Sequence, residues 1–136
     1  MTKRELRIFL MQNLYTIELR NISVDEALEN IDENRYDIEA KEELISINNN
    51  LEIIDNLIEK TLEDYKLSRL NAVDRQIIRI ATYEILKGDL DVKIIINEAL
   101  EITKEFSDEG NHKAVSFNNR LLQNIYSKKG DVKLAW

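Results

Sequence analysis

Glu98 and Glu101 stand three residues apart in "INEALEITKEF", a spacing at which two carboxylates on one helix turn could share acid and base roles. Lys93 and Lys104 alternate with them, and a solvated helix edge is the stronger reading of the pair. His112 is the single histidine and cysteine is absent, so a zinc site, a disulfide or a nucleophile triad lacks its residues. No glycine-rich strand-to-helix motif offers a phosphate cradle. No catalytic residue, metal or cofactor is expected.

Binding chemistry remains. In residues 1–20, Lys3, Arg4, Arg7 and Arg20 outweigh Glu5 and Glu18, although the whole chain carries a net charge of −7. Residues 21–66 hold four basic against fourteen acidic side chains, and residues 67–136 hold eleven against ten. The acidity is therefore concentrated in the middle third. A mildly basic amino-terminal helix can meet phosphate while the acidic segment faces elsewhere; the plainer alternative is a solvated helix face.

These side chains need a scaffold. A chain of 136 residues, 43% of them apolar, suffices for one domain with a real core. No run of eighteen apolar residues occurs, and Glu5 and Arg7 interrupt the amino-terminal stretch where an export signal needs unbroken apolar sequence. No membrane association and a cytoplasmic location are the expectations. With no proline and only three glycines, little interrupts helix, which favours an all-α bundle.

Seven helices are predicted. The first runs from Lys3 to about Leu19, with Leu6, Phe9, Leu10, Leu14 and Ile17 on one face and Arg4, Arg7 and Gln12 on the other. Ser23 and Glu26 form a capping box for a short helix to about Asn34. A weaker helix spans 37–47. The turn "NNN" supplies N-cap candidates for a helix whose apolar face is Leu51, Ile54, Leu57, Ile58, Leu62 and Tyr65. Asn71 caps the next, with Asp74 in its first turn and Gly88 as its stop. Val92, Ile95, Ile96, Ala99, Ile102 and Phe106 mark the sixth helix, and Val115 to Tyr126 the last, leaving a tail "SKKGDVKLAW".

In "VDRQIIRIATYEIL", Val73, Ile77, Ile78, Ile80, Ala81 and Ile85 cover two adjoining faces, which predicts a central helix touched from several sides. Arg75 and Arg79 are like charges one turn apart, so each should find a partner elsewhere.

The longer stretch "LSRLNAVDRQIIRIATYEIL", followed by "DVKIIINEALEITKEF", resembles the NusB family of bacterial transcription antitermination factors. "LRIFLMQNLYTIEL" is similar to that family's first helix and "FNNRLLQNI" to its last. The resemblance spans essentially the whole chain. It implies an all-α fold of two three-helix subdomains, about 1–66 and 67–136, sharing one interface. It also implies a heterodimer with the ribosomal protein NusE that binds the single-stranded boxA element of nascent RNA within RNA polymerase antitermination complexes. By position, the RNA-binding residues it implies are Lys3, Arg4, Arg7, Gln12, Tyr15, His112 and Lys113, with core packing an equal alternative for Tyr15; Arg120, a departure from the family's pattern, could add a cation, and a homodimer of the free protein is possible. Tyr83 and Glu84, on the side of their helix expected to be exposed, are the partner-binding candidates, with a core position an equal alternative for Tyr83. The chain departs from the pattern in its thin amino-terminal charge, a missing proline in "LDVKI", and Arg120 where a glycine is usual. Two other readings fit: a protein-interaction module that has kept the fold without RNA binding, and an accessory domain of an RNA methyltransferase supplied by another polypeptide.

Overall fold

The computed structural model describes residues 1–29, 31, 38–63 and 65–135. Its helices are α1 (Lys3–Arg20), α2 (Val24–Glu29), α3 (Ile38–Asn49), α4 (Leu51–Leu62), α5 (Ala72–Lys87), α6 (Val92–Phe106) and α7 (Lys113–Lys128), with a 3-10 turn at Leu67–Arg69 between α4 and α5. Among the described residues there is no strand. The expected end of the second helix near Asn34, the start of the third at 37, and Trp136 lie outside the described residues.

Polar caps set the helix starts. Asn71 Oδ1 accepts the Val73 and Asp74 N–H groups at 2.8 and 3.4 Å, and Gly88 closes α5 in the left-handed conformation at φ +76°. The Ser23 hydroxyl accepts the Glu26 N–H at 3.1 Å. Where the family's proline is missing, Asp91 caps α6 by accepting the Lys93 N–H at 2.8 Å.

Helix α5 is the axis of the fold. Gln76 through Tyr83 are all buried, and α1, α4, α6 and α7 pack around it. One continuous core joins Phe9, Leu14, Leu44, Ile54, Ile58, Ile78, Ile95, Leu122 and Ile125. Leu67 and Leu70 are buried, so the link from α4 to α5 is packed down rather than a tether.

The two arginines of α5 have the partners their spacing demanded. Arg75 forks onto Glu18 of α1 and donates to the Leu70 carbonyl at 2.8 Å. Arg79 Nη1 reaches Glu18 at 2.6 Å and Gln76 at 3.1 Å, while its Nε and Nη2 bind the two oxygens of Asp55 on α4 at 2.9 and 2.8 Å. Three helices are thereby clamped by charge-assisted hydrogen bonds. Partial burial alone would push the Glu18 carboxyl up, but the hydrogen bonds and charges of Arg75 and Arg79 outweigh it and hold it below the ordinary 4.5. The folded state therefore takes up this proton less readily than the unfolded chain. The contribution is complete above the unfolded value and is lost as pH falls through the lower folded value. Glu18→Gln is expected to flatten the acid limb of stability against pH, read by urea unfolding between about pH 6 and pH 3.

Four expectations need correction. Helix α4 stops at Leu62 because Glu63 takes a positive φ of 58°, so Tyr65 lies beyond it and is exposed. Phe106, at the last turn of α6, is exposed rather than part of the buried stripe. Helix α7 begins two residues early, at Lys113. Asn50 does not cap α4: its side chain accepts the Ala135 N–H at 2.8 Å and donates to the carbonyls of Ala135 and Ser46 at 3.0 and 2.8 Å. This bracket holds the tail so that Leu134 joins the core. Asn50→Ala removes three part-buried hydrogen bonds, two of them to the tail, and is expected to cost about 1–2 kcal/mol in thermal unfolding.

Candidate nucleic-acid interface

The basic residues fall into two sets. At the start of α1, Thr2 caps the helix reciprocally with Glu5: the Glu5 N–H donates to the Thr2 hydroxyl and the Thr2 N–H to the Glu5 carboxylate, each at 3.1 Å. The acid that thins the basic run thus starts the helix. The Thr2 backbone N–H first, and the Thr2 side chain after it, hold the Glu5 carboxyl below its ordinary value.

Arg7 is not on a solvent face. It is 6% exposed, and its Nε and Nη2 bind both oxygens of Glu84 on α5 at 3.0 and 2.9 Å. Arg4 is exposed but directs Nε and Nη2 onto one oxygen of Glu98 on α6, at 3.2 and 2.8 Å. Lys3 and Gln12 are exposed, and Tyr15 is half-buried. The α1 set therefore presents less positive charge than its sequence suggests.

Tyr83 is also not at the surface. At 1% exposure it lies in the core, its hydroxyl 2.9 Å from the Ser46 hydroxyl, and burial pushes its phenol up. Glu84, its neighbour, is the buried-side partner of Arg7. The expectation of an exposed α5 face at Tyr83 fails because α5 is covered by helices around its circumference.

The second set surrounds the start of α7. The Asp108 carboxylate accepts the His112 N–H at 3.1 Å and Asn111 Oδ1 accepts the Lys113 N–H at 3.1 Å, which shapes the entry with His112 at φ +59°. His112, Lys113 and Arg120 are exposed. Asn118, fully buried, donates to Asp74 of α5 at 3.2 Å and to the Thr103 hydroxyl of α6 at 3.1 Å, fixing the rotation of α7. That rotation turns Lys113, Phe117 and Arg120, spaced i, i+4 and i+7, to the outside on one face.

Phe117 is 42% exposed and meets Tyr65, 40% exposed, at 6.1 Å between ring centroids and a 57° tilt. The Tyr65 hydroxyl donates to the Arg69 carbonyl at 3.3 Å, which holds its ring over the link to α5. Two aromatic faces at the surface, with cations one helical turn to either side of Phe117, suit unstacked bases and their phosphates. Phe117 is not among the residues the sequence assigns to binding, and Tyr65 is assigned there to an apolar helix face; the sequence signal for Phe117 is its place off the buried stripe of Asn118, Leu121, Leu122 and Ile125, between two cations.

The two sets are not brought together. Arg7 of the α1 set is anchored on α5 at Glu84, whereas α7 is anchored there through Asn118 at Asp74, ten residues or about 15 Å away along the helix axis. Among the described residues no cluster of His, Asp and Glu side chains could hold a metal ion, and no helix is long and apolar enough to cross a membrane.

The described residues form an all-α bundle wound about one central helix, with exposed cations on α1 and exposed cations and an aromatic on α7. The NusB family model matches residues 4–127, and the chain belongs to the NusB family. It is 35% identical over 130 residues to the transcription antitermination protein NusB of Staphylococcus aureus strain MRSA252, covering 92% of this chain and 98% of that one. The NusB protein of the same species in strain NCTC 8325 aligns over the same 130 residues at 35% identity. Among solved structures, T. maritima NusB superimposes with a TM-score of 0.81 at 34% identity, covering 94% of this chain and 92% of that chain. A chain in the crystal structure of a plectonemic RNA supercoil, 24% identical, shares the fold with a TM-score of 0.77.

Proposed function

We propose that this protein is a transcription antitermination factor that binds single-stranded boxA-type RNA as a heterodimer with ribosomal protein NusE. It would thereby support ribosomal RNA transcription by RNA polymerase in the cytoplasm. Family membership gives the class. The observation on this chain that carries the RNA reading is the outward face of α7, where Phe117 and Tyr65 form an exposed aromatic pair between Lys113 and Arg120. Lys3, Arg4 and Gln12 are the exposed members of the separate α1 set, and His112 adds a polar ring at the α7 entry.

The exposed carboxylates of Glu39, Glu42, Glu52 and Glu59 on α3 and α4 supply a negative surface suited to a basic ribosomal protein, chiefly by steering its approach. Phe117→Ala removes one stacking face, worth about 1–3 kcal/mol per base. Affinity for a labelled boxA-type RNA in the presence of NusE is expected to fall by about five- to 150-fold by fluorescence anisotropy. Unchanged affinity would remove α7 from the RNA face.

One observation favours the second reading, a protein-interaction module that does not bind RNA. Arg4 and Arg7 are both already held by carboxylates of the same chain. In that case NusE binding persists while RNA binding is absent for every variant.

A further inference from the structure

The two arginine pairs of α1 differ in a way that matters for RNA. The Arg7 side chain is 7% exposed and its partner Glu84 19%, with both carboxylate oxygens engaged, so opening it would strand charges away from water. Arg7 is thus fixed as part of the packing between α1 and α5. The Arg4 side chain is 46% exposed and Glu98 27%, and the guanidinium fork closes on a single carboxylate oxygen. A pair of this exposure is worth little in water and exchanges readily. A guanidinium fork also accepts a phosphate in the geometry in which it accepts a carboxylate.

Glu98 does not act alone. Glu101 and Glu105 follow it at i+3 and i+7 on α6, and the Arg4 charge is held by Glu98 first and by Glu101 and Glu105 beyond it. Glu101 is itself engaged by Lys104 at 3.0 Å. An acidic stripe on α6 thus flanks the cation at the start of α1.

We infer that Glu98 is a built-in competitor for RNA phosphate: it occupies Arg4 in the free protein, and Arg4 gains a phosphate only by giving up Glu98, so that the two contacts largely offset. The inference rests on the RNA-binding reading above and adds its regulation. The latch lowers affinity for any polyanion and makes the contribution of Arg4 depend on whether Glu98 holds it, while Arg7 serves only as a positioning residue.

The test is a double-mutant cycle, with wild type, Glu98→Gln, Arg4→Ala and the double variant titrated onto a fluorescein-labelled single-stranded boxA-type RNA with NusE present at low salt. Glu98→Gln keeps the side-chain shape and is expected to tighten binding about two- to fivefold, the range set by an exposed ion pair. Arg4→Ala should change affinity by less than about twofold in the wild-type background and should abolish the gain in the Glu98→Gln background. Glu101→Gln, which removes a carboxylate of the same stripe held by Lys104, should produce a smaller gain. No tightening by Glu98→Gln, or a gain that survives Arg4→Ala, overturns the latch. If wild type binds and Phe117→Ala weakens it while Glu98→Gln is silent, only the latch falls; if no variant binds RNA with NusE present, the RNA reading falls with it.

Discussion

Arg79→Ala is expected to lower the unfolding free energy by about 2–4 kcal/mol, seen as a reduced urea midpoint with an unchanged slope. Arg79 is 8% exposed, and its guanidinium makes four hydrogen bonds, to Asp55, Glu18 and Gln76. Removing it strands the Asp55 carboxylate at the boundary between α4 and α5 and opens a void beside a fully buried Gln76. Glu18 keeps Arg75, so the loss should lie at the lower end of what breaking a fully buried pair costs. A change under about 0.5 kcal/mol would mean that the clamp is ornamental to stability, as many surface pairs are.

Arg7→Glu should be at least as damaging, by about 3–5 kcal/mol, because it sets a carboxylate against Glu84 in a site that little water reaches. The sequence reading placed Arg7 among the RNA contacts, and a charge-reversed variant would indeed lose RNA binding. The structure attributes that loss to folding. Thermal unfolding separates the two: a lowered Tm in the absence of RNA marks a structural arginine, whereas an unaltered Tm with lost RNA binding returns Arg7 to the interface. Restoring stability with a second change, Glu84→Arg, would confirm the pairing.

Much of this was legible beforehand, and the failures have one physical source. Helix periodicity and caps fix local geometry, so Asn71, Ser23 and Gly88 stand where their residue types predict. The like charges at Arg75 and Arg79 announced distant partners without saying which, since Glu18 and Asp55 lie 57 and 24 residues away. Arg7 and Tyr83 misled because burial is decided by neighbouring helices. An arginine on the polar side of α1 becomes internal once Glu84 of α5 faces it, and a tyrosine of α5 has no outer side when helices surround it. Asn50 misled for the same reason: a good cap residue was claimed by the tail 85 positions on. The Tyr65–Phe117 pair crosses between α7 and the α4–α5 link and has no signature within either segment.

The most direct measurement is the affinity of the complete chain for a labelled boxA-type RNA, alone and with NusE, at two salt concentrations. Lys3, Lys113 and Arg120 are the exposed cations of the two sets that form no ion pair with another described residue, and Arg4 adds to them once Glu98 releases it. Three to four phosphate contacts at about −0.7 each give a logarithmic salt slope of about −2 to −3. The account predicts weak binding by the chain alone, tight binding with NusE, and that shallow slope. No binding with NusE present, or a slope twice as steep drawn from cations the structure shows as paired, would contradict it.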